Sequence, residues 1–582
     1  MKRAMLWGTA VVSMLCGWSA TFAADPVCKD KTTNGSISPA TNNIPGVMYF
    51  NSKPKDAAAC AMRVVDGKIV VDPAVSNPAM SCPDMAAWKL FADAVTQEFW
   101  NRWAADQQTW PNKPLPICTD KVTTNCCNPS SNSNPGYTDK ENPAVNCPYF
   151  PGDHLGEGAP RLREAGPLSK AHFNAMGRRN SDGNLRAPNI DDTGRDIRQS
   201  MAEIVFRNKS MFDFVFRNDI YHQEGIAAVF NRNAANISGS TAGLPYRLTS
   251  TAGALTEIDF PIDAVMIKSN WLEKGRAQAL GLRDDPNAPY IKMTINTRVT
   301  DNNGSILVKG EHWLVAMHIS SKDIPNWLWA TWEHVNNPGR CDYIGCNDSY
   351  GYSTADKVGA NQATNYTTPF EQCDDLDLAS WIFKLNQVYP SGPRSEGLSA
   401  IFQGMGIGTA KASYDNPETQ APTPADRAWL SYRLKGSQTE FTDSTGGTTL
   451  LGNSVTEGGF MQTSSCITCH ARAGTTAKGT IPLALGVFVN SLNETGYLQS
   501  ENGTPDPNLY YASNQPPALT VLQTDFVWGF LTANCLNGAS LPCPVPPAAD
   551  SANGAKKASP KAAPAVQPAR SARERIHTGT LP

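Results

Sequence analysis

Trp313-Leu-Val-Ala-Met-His-Ile319 and Trp327-Leu-Trp-Ala-Thr-Trp332 are two apolar runs of strand length, carrying β-branched and aromatic residues. They belong to a longer region, from about residue 258, in which the hydrophobic period is two. Residues 265–267, 290–295 and 306–309 precede them, Gly and Asn turns separate several of the runs, and 429–441 adds one or two strands. The pattern predicts an antiparallel sheet in the middle of the chain. Working outward, 195–231 has apolar residues at helical spacing (Ile197, Met201, Ile204, Val205, Met211, Phe212, Val215, Phe216) and predicts a helix. A second helix starts at Asp84 and runs through Met85, Trp88, Phe91, Val95, Phe99 and Trp103, and a last amphipathic helix is expected over 519–532. A brief strand is expected over 68–71.

The chain has 582 residues, 18% charged and 41% apolar, with 45 Gly and 43 Pro. That composition excludes a collagen, a coiled coil and wholesale disorder, and the length allows several domains. A formal net charge of −3 offers no basic footprint, so nucleic acid is not an expected partner.

The first residues predict the compartment. Lys2 and Arg3 precede an uncharged apolar stretch over 4–20, and Thr21-Phe22-Ala23 places small residues for cleavage after Ala23. This is the pattern of a secretory signal peptide, and a periplasmic location is expected. A membrane anchor would need a longer run. No second long apolar run follows, so no transmembrane segment is expected in the mature chain. Cleavage would leave 48 basic and 53 acidic side chains, net −5, and 14 cysteines. That many cysteines suit an oxidising compartment.

One motif carries chemistry. Ser465-Cys-Ile-Thr-Cys-His-Ala-Arg472 contains C-x-x-C-H. Residues three apart share one face of a short helix, so the sulfurs of Cys466 and Cys469 can reach both vinyl groups of one porphyrin. His470 then lies under the iron as proximal ligand, which implies one covalently bound haem c. A redox dithiol would need a thioredoxin-like setting, and a zinc site would need a second ligand pair; neither is present. Arg472 is a candidate partner for a haem propionate.

The distal ligand is not legible. No methionine follows His470, and the one later histidine, His577, lies in the tail. An upstream residue, or Lys478, Tyr497, Tyr510 or Tyr511, would have to cap the iron, unless the sixth position is open. Of the upstream histidines, His318 and His334 are the tentative distal ligands. Met461 lies too near on the proximal side. His312 and His318 are six apart in a strand, hence expected on one face, roughly 20 Å from each other, too far to share a metal. Trp327, Trp329 and Trp332 read either as core or as the lining of a haem pocket.

Twelve cysteines remain for up to six disulfides, with Cys341–Cys346 and Cys535–Cys543 as plausible local pairs. Gly404-Met-Gly406-Ile-Gly408 is discounted as a phosphate loop because it lacks a strand–turn–helix setting. The expected organisation is a signal peptide over 1–23, a disulfide-rich N-terminal region with one long helix over 24–166, an α+β body over 167–445, a haem-binding segment over 446–545 and a disordered basic tail over 546–582. The fold class is α+β: an antiparallel β-rich core with surrounding helices and a mainly helical C-terminal haem segment.

The run from His312 to His318 and on to Trp332-Glu-His334, followed by Tyr432-Arg-Leu-Lys-Gly436 and the segment 464–473, resembles a group of large exported proteobacterial proteins of the cytochrome c family. The resemblance spans most of the mature chain. It implies the haem and the compartment but brings no substrate and no reaction. It does not extend to di-haem peroxidases or rubber oxygenases, which carry two haem motifs. The expected function is a periplasmic mono-haem redox protein, an oxidoreductase using the iron on a small molecule or peroxide. The alternatives are an electron carrier with a docking module and a haem-based gas sensor. A periplasmic electron donor or acceptor is the expected partner.

Overall fold

The structure is a computed structural model. It describes residues 56, 59–154, 164–165, 201–239, 254–352, 392–410, 421–457, 464–480, 503–512, 518–540 and 543, apart from short gaps within these stretches. The expected signal peptide and tail, Cys28, Cys341, Cys373, His172, Met461, Tyr497 and His577 lie outside the described residues.

A mixed sheet organises the chain. Its strands are β3 (Ala104–Ala105), β4 (Glu164–Ala165), β5 (Met201–Arg207), β6 (Val265–Glu273), β7 (Lys292–Asp301), β8 (Gly304–Ser321), β9 (Leu328–His334) and β10 (Tyr432–Gln438); β1 (Met62–Val65) and β2 (Lys68–Val71) form a separate hairpin. The order is β10-β9-β8-β6-β5-β3, with β7 also on β8 and β4 beside β7. Every pair is antiparallel except β4 with β7. The expected antiparallel core is therefore present, and the runs at 306–309 and 313–319 are one 18-residue strand.

Two expected helices are corrected. Residues 201–207 pair along their whole length with β6, from Met201 opposite Leu272 to Arg207 opposite Met266. Ala202, Ile204 and Phe206 are buried on one face while Glu203 and Val205 alternate with them, a period of two hidden inside an apparent helical spacing. Helix resumes as α2 (Lys209–Arg217), capped by the Asn208 side chain, and α3 (Gln223–Gly239), after α1 (Pro83–Thr96). Residues 519–532 form β13 (Ala518–Leu519), β14 (Leu522–Gln523) and a 3-10 turn, Trp528–Thr532, rather than a helix. Leu522, Val527 and Phe530 still reach the core, from an irregular chain. The described part of 446–545 contains one short helix, α5 (Cys466–Ala471), which follows α4 (Glu396–Gly404), and the small pairings of β11 (Gly474–Thr475) with β14 and of β12 (Tyr511–Ala512) with β13.

The two faces of the sheet differ. One is apolar. It carries Trp332, Met317, Ile319 and Ile204, and α1 packs on it: Trp88 meets Trp332 edge-on at 5.8 Å, and Phe91 lies 5.5 Å from the same ring. α1 starts at Pro83, and the Asp56 carboxylate accepts the backbone N–H groups of Asp84 (2.8 Å) and Met85 (2.9 Å), donors a helix start leaves unpaired. The Cys60–Cys82 disulfide ties down the same corner. Gly406 and Gly408, both at φ near +70°, lie just past the end of α4; they end a helix and do not cradle phosphate.

The other face is polar. A bulge decides which side chains reach it. β8 pairs with β6 through Asn270 opposite Ala316 and Trp271 opposite Leu314, so Val315 is an extra residue. Leu314 and Met317, three apart, consequently share the apolar core, while Trp313, Val315 and Ala316 belong to a different cluster. The parity of the strand flips, and His312 and His318 face opposite sides, which corrects the expectation that they share one.

Candidate functional site

The polar face carries Lys268 on β6, His318 on β8, Thr331 and Glu333 on β9, and Gln438 on β10. The described residues between 448 and 480 cover it. Asn453 Nδ2 donates to Thr331 Oγ1 (3.1 Å), Thr456 Oγ1 donates to Asn270 Oδ1 (2.9 Å), and Glu457 Oε1 stands 3.6 Å from His318 Nε2. Gln438 places α5: its Oε1 accepts the Ile467 N–H (2.9 Å) and its Nε2 donates to Ser465 Oγ (3.0 Å). Ser465 is also the N-cap of α5, accepting the Thr468 N–H. The C-x-x-C-H helix is thus bolted to the sheet through one glutamine, which nothing in the sequence marks.

Cys466, Cys469 and His470 come together as their spacing predicts. They are half-buried, while Ser464, Ser465, Ile467, Thr468 and 471–475 around them are buried, so the three motif side chains share the opening of an otherwise closed segment. Neither Cys466 nor Cys469 is in a disulfide. The other described cysteines are cross-linked: Cys60–Cys82, Cys118–Cys126, Cys127–Cys147 and Cys535–Cys543, with Cys346 also disulfide-bonded. The expected local pair Cys535–Cys543 is present. Burial, followed by the nearby Glu457 carboxylate, pushes the Cys466 thiol well above its ordinary range.

His470 is held in one tautomer. Its Nδ1 lies 2.8 Å from the carbonyl oxygen of Phe526, which can only accept, so Nδ1 carries the proton and Nε2 keeps a lone pair. Burial pulls the imidazole down to about 4, against the pull of that carbonyl, so the ring is neutral near pH 7. Trp329 stacks over it with centroids 4.4 Å apart. Of the three tryptophans of the run, Trp329 lines the site, while Trp327 and Trp332 are core. Phe526 is aimed by an unusual turn: Asp525 and Phe526 adopt left-handed φ of +46° and +67°. The Asp525 carboxylate holds that turn, accepting from Lys322 Nζ (2.6 Å), Phe260 N–H (2.7 Å) and Trp327 Nε1 (3.1 Å).

The remaining candidates separate clearly. His318 is 9% exposed, and its Nε2 has no hydrogen-bond partner among the described residues. Burial, then the charges of Lys268, His470 and Lys435, hold it well below its ordinary pKa. His334 sits on the apolar side, stacked on Tyr290 at 3.5 Å; its Nε2 donates to the Pro289 carbonyl (3.2 Å) and its Nδ1 accepts the Asn336 N–H (3.2 Å). With both nitrogens engaged on the wrong face, His334 is corrected from distal candidate to core residue. Arg472 is buried at the end of α5, near Tyr510. Tyr510 donates to the Ala471 carbonyl (2.9 Å), and Lys478 is exposed.

Charged groups beneath the motif escaped the sequence reading. Lys268 pairs with Glu203 (2.9 Å) and Lys435 with Glu333 (3.1 Å), the latter pair wholly buried. Burial lifts Glu457 to about 7, against the nearby Lys268. Separately, Glu224, Cys535 and Cys543 bring ligand atoms within 4.8 Å of one another, but the sulfurs are a disulfide and Glu224 accepts the Leu536 N–H, so this is a structural knot. No helix among the described residues is long and apolar enough to cross a membrane.

Two thiols outside disulfides, three residues apart, and a neutral imidazole with a free Nε2 are the donor set that a covalent haem requires, so the residues present fit that group. No protein-family model, curated protein or solved structure matches the chain.

Proposed function

We propose that this chain is a periplasmic mono-haem c-type redox protein. Cys466 and Cys469 would hold the haem through thioethers and His470 would be its proximal ligand. The haem would supply one-electron chemistry at its iron. The observation that carries the reading is the arrangement of the motif: among the described residues its two cysteines are the ones outside disulfides, beside an imidazole whose Nδ1 is already committed to a carbonyl. With no disulfide between them, both sulfurs are available to form thioethers with one porphyrin.

The chain's own residues would do three things. Gln438 and Ser465 fix α5 on the sheet. The Phe526 carbonyl fixes the ring orientation and raises the basicity of His470. Trp329 and the covering residues keep water from the imidazole. Exchange of electrons with a periplasmic donor or acceptor is the minimal function. Chemistry on a small molecule or peroxide would further require an open sixth position on the iron.

The test is maturation of the full chain alongside the cytochrome c assembly machinery, read by haem staining on denaturing gels and by pyridine haemochrome. One covalent haem per chain is expected, lost in Cys466→Ala/Cys469→Ala. Absence of covalent haem from the matured parent protein would overturn the reading.

A further inference from the structure

His318 is a buried imidazole whose Nε2 has no hydrogen-bond partner among the described residues. It lies on β8, opposite Thr331 of β9 and Lys268 of β6, on the face that α5 covers. Trp329, two residues along β9 from Thr331 and on the same face, is the ring that lies against His470, so both histidines lie on the polar side of the sheet. A buried polar atom without a partner costs about 1–3 kcal/mol and calls for an explanation. Sheet pairing on both sides fixes the β8 backbone at this position. Glu457 Oε1 is 3.6 Å from His318 Nε2, beyond hydrogen-bond reach. The other Glu457 oxygen accepts the Asn453 N–H at 2.8 Å, which keeps that carboxylate where it is.

Several rival ligands among the described residues are engaged elsewhere. His334 uses both nitrogens on the opposite face. His222 lies between Asp219 (2.9 Å) and Glu224 (3.2 Å). His154 stacks on Tyr149 at 4.4 Å, and Met317, beside His318 in sequence, points into the apolar core. We propose that His318 is the second axial ligand of the haem held by Cys466, Cys469 and His470, which makes the protein a six-coordinate, bis-histidine electron carrier. The proposal rests on the haem reading above. It gives the large body a role: a small C-terminal haem segment with no methionine after His470 takes its second ligand from the central strand of the upstream sheet.

The experiment uses the matured full-length protein, with absorption and electron paramagnetic resonance spectra of the ferric form and CO added to the ferrous form. The parent protein is expected to be low-spin and inert to CO. His318→Ala is expected to become high-spin and bind CO, and added imidazole is expected to restore the low-spin spectrum. His318→Met keeps a ligand in place, so it guards against a variant that fails to fold; it is expected to stay low-spin with a higher midpoint potential. Glu457→Gln is expected to remain low-spin. A parent protein that is high-spin or binds CO readily would overturn the proposal, as would an unchanged spectrum in His318→Ala or a loss of low-spin character in Glu457→Gln alone. Pyridine haemochrome on the same samples separates the two readings. Missing haem in the parent sinks the haem itself, whereas intact haem with the wrong spin state sinks only His318.

Discussion

Lys435 and Glu333 lie on adjacent strands with neither side chain reaching solvent, Nζ 3.1 Å from Oε1. Such a pair adds little over an apolar pair of similar volume, but removing one partner strands a charge in a dry site. Lys435→Met is therefore expected to lower unfolding stability by about 3–5 kcal/mol in urea titrations, and Lys435→Met/Glu333→Met to recover part of that loss. A loss under about 1 kcal/mol in the single variant would mean that water reaches the pair. At this scale the sequence was informative only where chemistry depends on local spacing. Cys466, Cys469 and His470 meet because they share one helical turn. Lys435 and Glu333, or Gln438 and Ile467, meet because β9, β10 and α5 come together, and no spacing along the chain encodes that.

The turn at Asp525 and Phe526 governs the imidazole from outside the motif. Two consecutive non-glycine residues at left-handed φ are costly, of order 1–3 kcal/mol each, and persist only where the surroundings over-determine them. The three donors on Asp525 do so. Asp525→Ala is expected to release the Phe526 carbonyl from His470. In the matured protein that would raise the midpoint potential, because a less basic ligand favours ferrous iron less weakly than the hydrogen-bonded one. A redox titration checks this, with a thermal melt on the same sample; a lowered melting temperature with an unchanged potential would show that the turn supports the fold but does not tune the ring. The same turn explains why no helix forms over 519–532. The apolar spacing there is helical, but backbone pairing of Leu522 and Gln523 with β11 and the carboxylate contacts of Asp525 outweigh that propensity. Over 201–207 a full ladder of pairings to β6 overrides it in the same way.

Across the whole molecule, buried titratable groups bound the pH range of stability from both sides. Burial, then repulsion from Asp84, lifts Asp56 to about 7, and the same two causes raise Asp348. A raised carboxyl contributes its stability below its unfolded value and loses it as pH climbs through the folded one. That contribution is therefore expected to be lost from about pH 4 to about 7 for Asp56 and to about 8 for Asp348. His334, pulled to about 3 by burial, acts in the opposite sense: its contribution is complete above the ordinary value of 6.5 and shrinks as pH drops below it. The two effects oppose each other between about pH 4 and 6.5, and the carboxyl loss alone continues above that, so melting curves are expected to fall from about pH 6.5 to 8 and then level off; a profile still rising at pH 8 would contradict the placement of Asp56 and Asp348.

The sequence by itself determined what depends on neighbours along the chain: the period-two strands of the central sheet, the helix from Asp84, the local Cys535–Cys543 disulfide and the three residues of the C-x-x-C-H turn. Tertiary structure decided which face each strand residue occupies. One extra residue, Val315, reverses the parity of β8, sending His312 to one side and His318 to the other. A bulge is set by pairing with a strand some forty residues away in sequence, so its effect on the site belongs to the folded sheet alone.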